Sequence, residues 1–207
     1  SNRNQTAGPM LTGLHTALAG AQHKSGAFAA TAGRGNAFEP DYNGFVTALV
    51  LRSIGDCPSV VDRRIRERAL NWIASCASVY QPGAYNFYPN GYQPEWMGPR
   101  LANDADDTAV MALERFKANM LSREAIIKST CVVLDAHRLH SAGPGSPPWL
   151  LPGVFVTWLR NATGRNIVDC CVNANVLALY SRLGLFRWRG FAEACALIEG
   201  EIGRAHV

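Results

Sequence analysis

Apolar positions recur every three or four residues along most of the chain, and no run alternates strictly between apolar and polar, so the pattern predicts helices and no strands. The predicted helices cover 10–22, 43–54, 60–77, 107–119, 122–139, 153–161, 169–183 and 190–202. Stretches rich in Gly and Pro separate them, the longest being "GRGNAFEPDYNG", "QPGAYNFYPNGYQPEWMGP" and "SAGPGSPPW". Ser122, with Glu124 and Ala125 behind it, carries a helix-start signal for 122–139. On this pattern the fold class is all-α.

Three of the predicted helices resemble one another. "NGFVTALVLRSIG" (43–55), "DDTAVMALERF" (106–116) and "NANVLALYSRLG" (173–184) share a small-residue entry, an apolar body and a late Arg. Their starts lie roughly 65 residues apart and a more polar helix follows each, which predicts repeated helical hairpins that complete one another's core. Residues 1–40 then read as an N-terminal helix with a Gly/Ala-rich lead-in, and 41–207 as the repeat region of one domain.

Composition narrows the function classes. With 48% apolar and 17% charged residues over 207 positions, the chain is globular and large enough to bury a core. A net charge of +4 without a dense basic run suits a small anionic substrate and gives no nucleic-acid footprint. The one basic cluster, "DRRIRERAL" (62–70), includes Asp62 and Glu67 and reads as a solvated helix face. No apolar stretch approaches the ~18 residues of a spanning helix. The N-terminal "SNRNQTAGPM" shows no signal peptide, and the six cysteines are scattered through apolar segments as buried free thiols would be. The expected location is cytoplasmic.

"LANDADDTAVMALERF" (101–116) sets the chemical question. Asp104, Asp106 and Asp107 crowd the start of an apolar helix, although one Asp suffices to cap it. A calcium loop is a poor fit, because the Gly and distal Glu of an EF-hand are missing. Crowding does serve acid chemistry: a neighbouring carboxylate and an apolar pocket both raise a carboxyl pKa, so that a proton is held until a weak base arrives. The helix N-terminus opposes both by favouring the anion.

"DADDTA" (104–109) resembles the DxDDTA acid motif of class II terpene cyclases, the group of squalene-hopene cyclases and diterpene diphosphate cyclases. "GAYNFYPNG" (83–91) looks like the Gly- and aromatic-rich loops of those proteins. The resemblance implies an α/α toroid, open or incomplete because the helices are fewer than a closed double ring needs. It implies Asp106 as proton donor, with Asp104 and Asp107 tuning it, acting on a hydrophobic isoprenoid-like olefin or epoxide. Protonation needs no cofactor; Mg²⁺ would enter if the substrate were a diphosphate. Family cyclases build the cavity between two helical domains, so a second domain or another copy of the chain would complete it here. A carbocation is best guided by aromatic faces, which makes Tyr85, Phe87, Tyr88, Trp96 and Trp158 candidates for the cavity wall. Asn173 and Asn175 are polar enough to face the same cavity.

Three weaker signals remain. Asp169 and Cys171 have a spacing that resembles the zinc-ligand pair of protein prenyltransferase β subunits, but the His that completes that set is missing. His137 and His140, in "LDAHRLH", follow the aspartate helix and could help set its proton. Arg100, Arg115 and Arg165 could bind a diphosphate. The competing functions are a non-catalytic helical-repeat module that binds an isoprenoid, a lipid or a protein, and a zinc-dependent prenyltransferase-like domain.

Overall fold

The computed structural model describes residues 7–34, 37–55, 63–98, 101–160 and 166–204. In chain order these form α1 (Ala7–Ala21), β1 (Ala29–Arg34), β2 (Ala37–Tyr42), α2 (Gly44–Ile54), α3 (Arg63–Ser75), a 3-10 turn (Glu95–Met97), α4 (Ala105–Lys117), α5 (Arg123–Lys128), α6 (Thr130–Ala136), α7 (Cys170–Arg182) and α8 (Phe191–Arg204).

The expectation of an all-α fold, an α/α toroid, is overturned. Strands β1 and β2 pair antiparallel from Ala29↔Tyr42 to Arg34↔Ala37, so the fold combines helices with a two-stranded sheet. β1 is built from Ala, Thr and Gly up to a final Arg, with no alternation of apolar side chains, which is why periodicity missed it. β2 contains Pro40, opposite Thr31. Proline is tolerated there because each strand of a two-stranded sheet keeps one open edge.

Two predicted helices are also corrected. Residues 153–159 are not helical: after the turn at Gly153 the chain runs extended, and Val154, Val156 and Thr157 are β-branched and suit a pleated backbone. This segment pairs on both sides, with Leu139 N donating to Val154 O and Ala105 N donating to Thr157 O, each at 2.8 Å. The predicted helix 122–139 is broken at Ser129, whose φ of −122° and ψ of −74° divide it into α5 and α6.

The chain forms two compact units, residues 1–76 with 88–98 and residues 77–87 with 99–207. In the first, α2 packs on α3 and β1. Ala48, Leu51, Ala69 and Ile73 fill its core, and Trp72 Nε1 donates to the Asn43 carbonyl. In the second, α4 packs on α6 and α7, and α7 on α8. Nine of the thirteen α4 residues are buried, which makes it the central helix of this unit. Even Glu114 is enclosed there, held by Lys117 Nζ at 3.1 Å. Among the described residues, no helix is long and apolar enough to cross a membrane.

Candidate functional site

One loop-to-helix junction recurs three times. Each copy starts at a glycine with positive φ: Gly26 (101°), Gly83 (95°) and Gly153 (105°). Two residues later comes a buried aromatic, Phe28, Tyr85 or Phe155, joined by an antiparallel bridge to Gln22, Ala77 or Arg138 respectively. The backbone N–H of each aromatic donates to a fully buried side chain on the following helix. The acceptors are Thr47 Oγ1 at 3.1 Å, Thr108 Oγ1 at 3.0 Å and Asn173 Oδ1 at 2.9 Å. Each acceptor sits four residues after an N-cap whose side chain takes a backbone N–H: Asn43 from Val46 (2.7 Å), Asp104 from Asp107 (2.6 Å), Asp169 from Cys171 (2.6 Å).

This register separates what the scaffold needs from what it does not. The cap and the acceptor are needed in all three copies, and they account for Asp104 and Thr108. The residues two and three after the cap are Phe45 and Val46 in the first copy and Cys171 and Val172 in the third, but Asp106 and Asp107 in the second. Six residues after the cap stand Leu49 and Val110 in the first two copies and Asn175 in the third. These departures meet: Asn175 Nδ2, from α7, donates to Asp106 Oδ1 at 2.7 Å.

The carboxyls of the turn have different environments. Asp107 is 1% exposed and its Oδ2 has no hydrogen-bond partner. Burial first, then the charges of Asp104 and Asp106, push its pKa well above the usual carboxylate range. Burial also dominates at Asp104 and, with the charge of Asp106, outweighs hydrogen bonds from Asp107 and from the Asp106 backbone. Its pKa rises to about 6. Asp106 is half-buried. The turn therefore has an enclosed carboxyl that holds a proton more tightly than usual, a second whose pKa is raised to about 6 and a third that is half-buried. Its entry is fixed by the extended segment: Ala105 N donates to Thr157 O, and Leu159 N donates to Asn103 O at 2.9 Å.

The other candidate residues fall into several roles. Trp158, half-buried, is bridged to Asp104. Tyr85 belongs to the junction, and its hydroxyl accepts a 2.7 Å bond from Arg115 Nη1, an internal contact for that arginine. Phe87 is half-buried in the second unit. Tyr88 and Trp96 belong to the first unit, where the Tyr88 hydroxyl donates to Asp41 at 2.9 Å. Asn173 is a junction residue, since it also donates to Phe155 O and Asp169 O. Asp169 is the α7 cap, and Cys171 beside it is exposed. Among the described residues, no three His, Cys, Asp or Glu side chains gather as a metal ion would require. Arg100 and Arg165 lie outside the described residues. The tripeptides Gly-Ala-Phe, Gly-Ala-Tyr and Gly-Val-Phe at 26–28, 83–85 and 153–155 were the sequence signal for the junction that periodicity alone passed over.

Comparison with family models, with curated proteins and with solved structures found no match.

Proposed function

We propose that the aspartate turn is a Brønsted acid that starts cyclisation or hydration of an isoprenoid-like olefin or epoxide, the chemistry of the class II terpene cyclases that the motif resembles. One observation carries the reading. Asp106, Asp107 and Asn175 occupy positions where the other copies of the junction have apolar or thiol side chains, and Asn175 meets Asp106 at 2.7 Å. A scaffold that needed only a cap would have no use for an enclosed carboxyl without a partner on one oxygen, because such a group destabilises the fold by about 1–3 kcal/mol.

Asp106 is the donor in this scheme. Its proton passes to an alkene carbon; the π pair forms the new C–H bond and leaves a carbocation at the other carbon. Ring closure moves the cation along the chain until a proton is lost to water or water adds. Asn175 orients Asp106 through Oδ1. The pair of Asp104 and Asp107, which hold their protons to higher pH than ordinary carboxyls, supplies the next proton. The ligand is hydrophobic, and Mg²⁺ takes part only if it carries a diphosphate. A second helical domain or another copy of the chain completes the cavity. Cys76 and Cys131 are buried and form no disulfide, which suits the reducing cytoplasm.

The cap role of Asp104 favours a second reading, a non-catalytic module that binds such a ligand. One experiment separates the two. Wild type, Asp106→Asn and Asn175→Leu are incubated with a panel of polyenes, epoxides and isoprenoid diphosphates, with and without Mg²⁺. The acid reading expects product from wild type, none from Asp106→Asn and much less from Asn175→Leu, with the Asp106→Asn stability within about 1 kcal/mol of wild type. Undiminished turnover by Asp106→Asn would remove the acid from that position. Ligand retained without any product would favour the binding module.

A further inference from the structure

A second feature lies apart from the aspartate turn. A groove of about 250 Å³ opens where α6 ends, lined by His137, Arg138, His140 and Arg160, with Val156 and Asn166 among its other walls. Among the described residues, no acidic side chain lines it, and none of the three aspartates of the turn reaches it. Its backbone is already paired, with Leu139 N donating to Val154 O and Val156 N to His137 O. The groove is thus held in shape, and side chains must do the recognising.

The two guanidinium groups keep N–H groups for a ligand, and His137 keeps one ring nitrogen. His137 Nδ1 lies 2.8 Å from the Val133 carbonyl, which can only accept, so Nδ1 bears the hydrogen and Nε2 is the uncommitted ring nitrogen. Arg138 uses its Nε on Asp135, at 3.1 Å to the carbonyl and 2.8 Å to Oδ1. Asp135 is shared with Arg189 at 3.5 Å, so it does not neutralise Arg138 by itself. Arg160 rests 6.0 Å from the centre of the Trp158 ring and has no acidic partner among the described residues. Basic side chains are often found at a helix C-terminus, where they meet the exposed carbonyls. That accounts for His137 but not for Arg160, which is brought in by the extended segment from another part of the chain.

We infer that this groove binds the phosphate or diphosphate group of a small anionic molecule. Two guanidinium groups from separate elements match tetrahedral oxyanions, which accept forked hydrogen bonds, and the two imidazoles add donors when protonated. At about 250 Å³ the groove has room for a diphosphate. The inference is independent of the acid reading of the aspartate turn, since the two sites share no residue.

Isothermal titration calorimetry on the whole chain tests it, with sodium pyrophosphate and inorganic phosphate as probes, citrate as the carboxylate control and ionic strength held constant. The expected result is saturable one-to-one binding of pyrophosphate, weakened at least tenfold by Arg160→Ala. Arg160 is exposed, so its melting temperature should stay that of wild type. Asp106→Asn should bind pyrophosphate as wild type does, whatever its effect on turnover. Absence of saturable heat, equal affinity in Arg160→Ala, or citrate binding as tightly as pyrophosphate would each overturn the assignment.

Discussion

At Asp104 the same residue is both a cap and a titrating group, and the two roles can be measured separately. Its folded pKa of about 6 lies above the ordinary 3.8, so the folded protein binds the proton more tightly than the unfolded chain. The resulting stability is fully present below about pH 4 and is lost as pH rises through 6, on the order of 2 kcal/mol between those limits. Asp107, raised first by its burial, acts in the same direction. Urea denaturation across pH 4 to 7 should therefore show stability falling towards neutrality. Asp104→Asn keeps a capping side chain but removes the titration, so its profile should lose at least half of that slope. An unchanged slope would show that other groups set it. The sequence made the crowding legible, since three Asp before an apolar helix are visible as letters. It could not tell which carboxyl is enclosed, because that depends on how α4 is turned against α6 and α7.

At the scale of the element, the recurring junction makes the glycines unequal. All three have φ near 100°, which strains any other residue by roughly 1 kcal/mol or more. Their surroundings differ. A Cβ on Gly26 would lie 2.2 Å from the Arg68 carbonyl oxygen, and one on Gly83 would lie 2.6 Å from the Ser129 carbonyl carbon; neither backbone can yield cheaply. The nearest atoms to a Cβ on Gly153 belong to the Glu193 side chain, at 3.2 Å, which can swing away. Gly26→Ala and Gly83→Ala should thus cost about 3 kcal/mol or more, and Gly153→Ala closer to 1–2. Denaturant titration of the three variants gives the order, and equal losses would mean that the backbone angle alone decides. These glycines also show why elements were misread. Gly153 heads a short apolar run, "GVFVTWL", for which periodicity cannot tell a buried strand from a helix. Its β-branched content and its leading Gly were the better guides. Helices α2 and α4 were easier to read because polar caps and long apolar faces point to the same boundaries.

At the scale of the whole molecule, the two units are interleaved along the chain, and this is the part of the fold that local sequence patterns carry least. Residues 77–87 belong to the second unit although 88–98 separate them from the rest of it. The ties that draw them in are long in sequence. Tyr85 N donates to Thr108, Thr130 Oγ1 donates to Gly83 O at 2.9 Å, and Asn103 Nδ2 donates to Ser78 Oγ and Gln81 Oε1 at 3.1 and 2.8 Å. Periodicity does not record such partners. Only Thr108 hints at them, as a small polar residue on the inward face of a helix. A fragment starting at 99 would lack Tyr85, whose side chain is 3% exposed, and would leave the buried Thr108 hydroxyl without its donor. Loss of a large buried aromatic costs about 3–5 kcal/mol, and an unsatisfied buried polar group adds about 1–3. That sum approaches the whole stability of a small domain, about 5–15 kcal/mol. Fragment 77–207 should therefore melt cooperatively by circular dichroism, and fragment 99–207 should show no cooperative transition. If 99–207 melted as sharply and at the same temperature, segment 77–87 would be an appendage, and the second copy of the junction would not organise the aspartate turn.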